Sequence, residues 1–151
     1  MHWRYLHFDE LTKTELYAAM QLRQEVFVVE QECPYLDADG RDVVNHHLLG
    51  YDAQGLIAYA RVLAPGVNYA EVCISRVVTS PRVRRQGVGR LLMLECLARV
   101  KWQYGQVPIR ISAQAYLQDF YESFAFQTTG KEYLEDGIPH MEMLRISDFN
   151  Y

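Results

Sequence analysis

Hydrophobic residues recur at the two-residue spacing of β-strands in several short segments. The segment Trp3–Phe8 alternates in the manner of an edge strand. Three later segments, rich in β-branched, leucine and aromatic residues, predict a meander of strands: His47–Tyr51, Leu56–Leu63 and Glu71–Thr79. Good turn sequences at 52–55 and 65–68 separate these strands, as expected for a meander.

Two longer segments repeat their hydrophobic residues at the spacing of an α-helix. Thr12 and Glu15 form a capping-box pattern, which predicts a helix from this point to about Val28. Its predicted stripe consists of Leu16, Met20, Arg23 and Phe27. A second helix should span Gly89–Trp102 and end at Gly105, because glycine commonly terminates helices.

The remaining segments complete the order β-α-βββ-α-β-α-β, which is typical of an α+β protein with a mixed, largely antiparallel sheet. They are a loop at Glu32–Asn45, a strand at Ile109–Ala113, a short helix at Tyr116–Phe124 and a closing strand at Met141–Ile146. The strands flanking the second helix should be parallel neighbours, because such crossovers are right-handed. Since no linker or repeat divides the chain, residues 1–151 are expected to form one domain.

Positive charge is concentrated in one segment of an otherwise acidic chain. The net charge is −4, yet five of the fifteen Lys and Arg residues fall within one short stretch: Arg76, Arg82, Arg84, Arg85 and Arg90. This distribution argues against nucleic-acid binding and favours a small anionic ligand.

Other features narrow the class of protein further. Three cysteines at irregular spacing favour reduced thiols over a disulfide framework or a zinc site. The acidic run Asp37–Asp42 lacks the glutamate that closes an EF-hand loop, so turn chemistry explains it and no metal is expected. No apolar run approaches the roughly 20 residues that span a bilayer, and the N-terminus lacks a signal-peptide core. We therefore expect a cytoplasmic protein without a membrane partner.

Gly87 and Gly89 open the second helix directly after a predicted strand and beside Arg84 and Arg85. Glycine allows a ligand to approach the backbone closely and permits positive φ. The first amides of a helix lack partners within the helix and lie at the positive end of its macrodipole. Amides and arginines together are suited to holding a diphosphate.

Three phosphate-binding motifs compete for this turn. The dinucleotide fingerprint requires a third glycine where Leu92 stands, and an acidic residue near Val107. The nucleoside-triphosphate loop requires a Gly-Lys-Ser/Thr sequence, which is absent. The pattern that remains is Arg-x-x-Gly-x-Gly, from Arg84 to Gly89.

This pattern, in this element order, resembles the GNAT superfamily of N-acetyltransferases over nearly the whole chain. A narrower resemblance, to the ElaA group of that superfamily, rests on four segments: Leu22–Gln31, Ala113–Ala115, Phe120–Tyr121 and Glu135–His140. The resemblance implies a three-layer fold with helices on both faces of the sheet. It also implies that acetyl-coenzyme A binds between two parallel strands that splay apart, here Ile74–Thr79 and Ile109–Gln114.

The resemblance also implies which residues contact acetyl-coenzyme A. Backbone groups of Val77, Val78 and Thr79 would pair with the pantetheine arm. Gln114 stands where many members have an asparagine. The diphosphate turn comprises Arg84, Arg85, Gln86, Gly87, Val88, Gly89 and Arg90.

Acyl transfer from a thioester to an amine requires a polarised carbonyl, a proton for the departing thiolate and a base for the amine. A strand amide, that of Val77 or a neighbour, is suited to hold the thioester oxygen. Tyr121 stands at the family's tyrosine position and is the candidate general acid, since its pKa lies near that of a thiol. The candidates for the base or acceptor contacts are Glu30, His47, Glu71 and His140.

The leading hypothesis is an N-acetyltransferase for a primary amine of a small molecule, peptide or protein, acting as a monomer or homodimer. An acyl-homoserine-lactone synthase is an alternative, because that fold shares an Arg-x-x-Val-Phe segment like Arg23–Phe27. A non-catalytic acyl-coenzyme A sensor is another alternative. It would need the Arg84–Gly89 turn but not Tyr121.

Overall fold

The computed structural model describes residues 1–146, in which seven strands form one mixed sheet. The spatial order is β1-β2-β3-β4-β5-β7-β6. The strands are β1 His2–His7, β2 His46–Asp52, β3 Gly55–Leu63, β4 Val72–Thr79, β5 Ile109–Gln114, β6 Gln127–Glu135 and β7 Ile138–Arg145. The predicted edge strand and the three-strand meander are therefore confirmed.

Strands β4 and β5 are parallel neighbours, as the crossover rule predicts, and the other strand pairs are antiparallel. Strands β4 and β5 pair only at Val72–Ile109 and Cys73–Arg110, near the start of each strand. Beyond these pairs no ladder joins the two strands, so they splay apart toward Thr79 and Gln114. This opening in the middle of the sheet provides the space for the site.

The predicted first helix is α only as far as Arg23. Helix α1 spans Lys13–Arg23, and the chain continues as a π-helix over Gln24–Glu30. The capping box is confirmed, since the Thr12 hydroxyl accepts from the Glu15 amide at 3.0 Å and the Glu15 carboxylate accepts from the Thr12 amide at 3.0 Å. π-Helical turns are uncommon and are often found at functional sites.

The other two helices lie close to the predicted positions. Helix α2 spans Val88–Tyr104 and ends at Gly105, whose φ of +79° suits a glycine. A 3-10 turn at Ala115–Leu117 leads into the short helix α3, Gln118–Glu122. None of the helices in residues 1–146 is long and apolar enough to cross a membrane.

The core has one layer on each face of the sheet. On one face, Ala19 and Leu22 of α1 and Val26 of the π-helix pack against strand residues that include Tyr59 and Val78. On the other face, α2 and Phe124 pack against alternating strand residues such as Ala58 and Ala60. Because successive strand residues point to opposite faces, the two layers are built from alternate positions. The α+β class with helices on both faces is thus confirmed.

Sequence reasoning missed strand β6 and misplaced part of the first helix. Strand β6 is exposed along nearly its whole length and lies at the sheet edge, so it carries no apolar alternation that would predict it. Strand β7 begins at Ile138, three residues before the predicted closing strand. The buried residues of α1 are Ala19, Leu22 and Arg23, so Arg23 of the predicted stripe is buried. Leu16 and Met20 are only half-buried.

Candidate active site

A cavity of about 660 Å³ occupies the opening between β4 and β5. Its walls come from β4, from β5, from the end of the π-helix and from the turn that joins β6 to β7. Gly89 of α2 lines the end at which the strands are farthest apart, and Cys73 lines the end at which they pair. The cavity is therefore a channel that runs from the turn containing Gly87 and Gly89 toward the end at which β4 and β5 pair.

A β-bulge interrupts β4 beside this channel. Tyr59 pairs with Val78 and Arg61 pairs with Ser75, so Arg76 and Val77 together stand opposite one residue of β3. Arg76 adopts φ +54°, which is unusual for a residue with a side chain. A bulge leaves backbone groups outside the sheet ladder. Val77 lines the cavity at this bulge, so a ligand that lies along β4 would pass beside it.

The side chain of Arg76 is fixed by Asp37. Arg76 Nε donates to Asp37 Oδ1 at 2.8 Å, and Arg76 Nη2 donates to the Asp37 carbonyl oxygen at 3.3 Å. The other carboxylate oxygen of Asp37 accepts from Arg23 Nε at 2.8 Å. Asp37 therefore ties the bulge to helix α1.

A buried cluster of charges continues from this contact. Asp42 accepts from Arg23 at 2.7 Å and from Arg61 at 2.9 Å, and Asp39 accepts from Arg61 at 2.8 Å. Burial acts to raise the pKa of Asp42, but the hydrogen bond from Arg23 and the nearby guanidinium groups hold it below its usual range. These aspartates, which the sequence assigned to turn chemistry, are structural ion-pair partners.

Two of the predicted acceptor-site residues do not line the cavity. His47 is 1% exposed, and its ring nitrogens contact the Tyr59 hydroxyl at 2.6 Å and the Asp42 carbonyl oxygen at 2.9 Å. Burial lowers its pKa. Glu71 accepts from Arg110 at 3.0 and 2.8 Å and likewise lies outside the cavity lining.

Glu30 lines the cavity and contacts Arg84, the first residue of the glycine turn. Its carboxylate lies 2.6 Å from Arg84 Nη2. The next residue, Gln31, exchanges amide hydrogen bonds of 3.3 and 3.4 Å with Gln114. The end of the π-helix is thus tied to the turn after β4 and to the end of β5. It therefore bridges the opening between these two strands.

His140 faces the cavity from β7, next to Gln114 in the adjacent strand. Its Nδ1 lies 2.7 Å from the carbonyl oxygen of Ile138, which can only accept, so Nδ1 carries a proton. In the neutral imidazole Nε2 is then the acceptor. Nε2 lies 3.2 Å from the Glu135 carboxylate, which is placed to stabilise a positive charge on the ring.

Tyr121 lies on α3 and also lines the cavity, although its side chain is largely buried. Burial raises its pKa, so the hydroxyl remains protonated at neutral pH. Its ring packs edge-on against Phe120 and Phe126, which hold it at the cavity wall.

The glycine turn, Arg84–Gly89, combines positive φ angles with the start of a helix. Arg85 and Gly87 adopt φ +63° and +77°, and α2 begins at the next residue. A Cβ added at Gly89 would come no closer than 3.8 Å to Phe120, so packing within the protein does not require this glycine. Since Gly89 lines the cavity, its missing side chain leaves space for a ligand at the positive end of α2.

The other residues predicted to bind coenzyme A differ in whether they line the cavity. Val77, Val78 and Thr79 line the cavity, whereas Val88 packs into the core. Gln86 is exposed on the turn, and the Arg90 guanidinium stacks over Phe124 at 5.1 Å. Exposed arginines and helix amides meet the strand edge here, a donor set that suits an anionic group with an extended arm.

Sequence reasoning did not select Arg41, Arg61, Asp39 or Glu135, all of which line the cavity. A signal for the cluster existed, because Arg61 lies in the otherwise apolar run of β3 and a buried arginine requires an acidic partner. Among the described residues, no group of three or more His, Cys, Asp or Glu side chains is arranged to hold a metal ion.

Comparison with known proteins identifies the family. Residues 16–146 match the acetyltransferase (GNAT) domain, and the chain belongs to this family of acyltransferases. It is 44% identical to the protein ElaA of Escherichia coli strain K12, over 96% of each chain. The crystal structure of Escherichia coli ElaA superposes with a TM-score of 0.89 and 44% identity, covering 95% of this chain and 98% of that chain. An acyl-CoA N-acyltransferase from Pseudomonas aeruginosa gives a TM-score of 0.90 and 43% identity, covering 96% and 99%.

Proposed function

We propose that the protein transfers an acetyl group from acetyl-coenzyme A to the primary amine of a small molecule. The observation that carries this proposal is the bulge at Arg76–Val77, which lies in the channel that leads from the Gly87–Gly89 turn. A diphosphate at the turn and a pantetheine arm along Val77–Thr79 would bring the thioester to the bulge.

The bulge supplies the electrostatic part of catalysis. Negative charge develops on the thioester oxygen when the amine attacks the carbonyl carbon. A fixed backbone amide at this point stabilises that charge without any reorganisation during the reaction. The Val77 amide has this role in the proposal, and Asp37 holds the adjoining Arg76 in the conformation that the bulge requires.

Tyr121 and His140 carry out the two proton transfers, one to the leaving sulfur and one from the amine. The amine nitrogen forms the new bond to the carbonyl carbon, the carbon–sulfur bond breaks, and the sulfur leaves with the bonding electrons. Tyr121, which is protonated and faces the cavity, donates to that sulfur. His140 Nε2 accepts a proton from the amine, and Glu135 stabilises the resulting imidazolium.

Free-thiol release from acetyl-coenzyme A, measured against a panel of amines, tests this function. We expect thiol release that depends on the amine, with an acetylated amine of matching amount detected by mass spectrometry. Binding of acetyl-coenzyme A without acetylation of any amine would instead support a sensor. Absence of both would contradict the proposal.

A further inference from the structure

The part of the cavity beyond the bulge has two chemically different walls. On one wall lie Arg41, Arg61 and Arg76, which come from the loop before β2 and from strands β3 and β4. The other wall, built by β7 and the turn after β6, presents Glu135 and His140. The compartment thus has a guanidinium wall, of which Arg41 is the most exposed member, facing a carboxylate–imidazole pair.

The arginine wall carries more positive charge than its aspartates neutralise. Four arginines, Arg23, Arg41, Arg61 and Arg76, share three aspartates, Asp37, Asp39 and Asp42, which leaves one positive charge over.

The charges of this cluster are fixed at neutral pH. Burial acts to raise the pKa of Asp39, but Arg61 and its neighbours hold it below its usual range, so the carboxylate stays ionised. Burial raises the pKa of Tyr59 and lowers that of His47, so neither adjacent group adds charge at neutral pH. The surplus positive charge therefore persists.

The surplus charge lies mainly on Arg41. Among residues 1–146 its one ion pair is a 3.5 Å contact between Nη1 and Asp39, whose carboxylate already accepts two hydrogen bonds from Arg61. The Arg41 side chain is 46% exposed, whereas that of Arg61 is 2% exposed and fully engaged. Arg41 thus presents a guanidinium edge to the cavity, a shape that matches a carboxylate.

We infer that the acceptor is an amino acid, whose carboxylate pairs with Arg41 while its amine faces His140 and Glu135. This inference rests on the proposed function and names its substrate class. A free amine without an anionic group would fill only one of the two walls. It would leave the Arg41 guanidinium with only its 3.5 Å contact to Asp39, whereas a carboxylate would add a charge-assisted pair.

Matched acceptor pairs test the inference directly. The twenty protein amino acids and β-alanine are compared with their decarboxylated amines and their carboxamides, with thiol release giving kcat/KM for each. We expect at least one amino acid to exceed its decarboxylated partner by about tenfold or more, as expected for a charge-assisted ion pair. The variant Arg41→Gln should raise KM for that amino acid about tenfold and leave KM for the amine unchanged. The control Arg99→Gln, on the outer surface of α2 and paired with Glu95, should change neither.

Titration calorimetry with the coenzyme A complex provides a readout that does not require turnover. The N-acetyl amino acid should bind more tightly than the corresponding N-acetyl amine, and Arg41→Gln should abolish the difference. Equal rates and equal affinities with and without the carboxylate would overturn the inference and leave the N-acyltransferase proposal intact. Failure of every amino acid to react or bind, with coenzyme A bound, would also overturn it. Failure to bind coenzyme A would overturn the proposed function itself.

Discussion

The carboxylate of Asp37 joins helix α1 to the bulge of β4, since it accepts at 2.8 Å from the Nε of Arg76 on one side and from Arg23 on the other. Val77, the other residue of this bulge, lines the cavity. One buried aspartate therefore supports both the packing of α1 on the sheet and the conformation of the site.

The variant Asp37→Asn tests this double role. Loss of the charge leaves Arg23 with Asp42 alone and Arg76 with only its 3.5 Å contact to Asp39. Removal of one partner from a buried ion pair costs up to about 3–5 kcal/mol. We expect a lower free energy of unfolding in a urea titration and, in the folded fraction, a lower kcat with an unchanged Kd for coenzyme A. Asp52→Asn, which removes a carboxylate from an exposed pair with Arg82, is the matched control and should change neither quantity. Equal stability of the two variants would show that Asp37 has no such role.

Replacement of Tyr121 by phenylalanine removes only the hydroxyl. Because a general acid contributes about 10²–10⁴-fold, we expect kcat to fall by about a hundredfold while the Kd for acetyl-coenzyme A stays the same. Tyr17→Phe, at an exposed position on α1, serves as the control. An unchanged kcat in Tyr121→Phe would assign the proton on the thiolate to another donor.

His140→Gln should lower the rate in a manner that depends on pH. An alkylamine has a pKa of about 10, so at neutral pH a base must remove its proton, whereas near pH 10 much of the amine is already neutral. The ratio of wild-type to variant kcat/KM should therefore fall as the pH is raised from 7 to 10. His2→Gln, at the exposed start of β1, is the control. A ratio that stays constant over this range would contradict the role of His140 as base.

The buried His47 makes stability depend on pH. Burial lowers its pKa in the folded protein below the 6.5 of an ordinary histidine, so below that pH the unfolded chain binds a proton that the folded protein does not bind. The stability that His47 contributes is fully present above pH 6.5 and is lost as the pH falls through the folded pKa. We expect the free energy of unfolding to decrease as the pH falls from 7 to 5.

The variant His47→Gln should reduce this slope. His46, whose pKa burial also lowers, supplies the part that remains. Urea titrations at several pH values measure both slopes, and identical slopes in the wild type and the variant would contradict the assignment.

Local patterns in the sequence predicted most of the fold. The capping box at Thr12, the turns of the meander and the terminator Gly105 act through neighbouring residues, and each was found where the pattern predicted it. Strand β6 was missed because an exposed edge strand needs no apolar alternation. The π-helix after Arg23 was missed because the apolar spacing of that segment also fits an ordinary helix.

From the sequence, a site could be proposed only where its chemistry lies in contiguous residues. The turn from Arg84 to Gly89 is such a case, and its role in binding coenzyme A stays a prediction. The cluster around Asp37 is not, because its arginines come from α1, β3 and β4 and meet only in the folded chain. For the same reason His47 was a reasonable candidate from sequence, yet the fold buries it beside Tyr59 instead of placing it in the cavity.

The variant Gly89→Leu tests the central claim, that the opening between β4 and β5 binds acetyl-coenzyme A. The added Cβ has room beside Phe120, and leucine favours a helix over glycine by roughly 0.8 kcal/mol, so the thermal midpoint should stay the same or rise. The leucine side chain would occupy the space at the start of α2. In titration calorimetry the wild-type protein should bind acetyl-coenzyme A with a Kd in the micromolar range, and Gly89→Leu should bind it at least about a hundredfold more weakly. Absence of binding by the wild-type protein, or equal binding by the two proteins, would contradict the account.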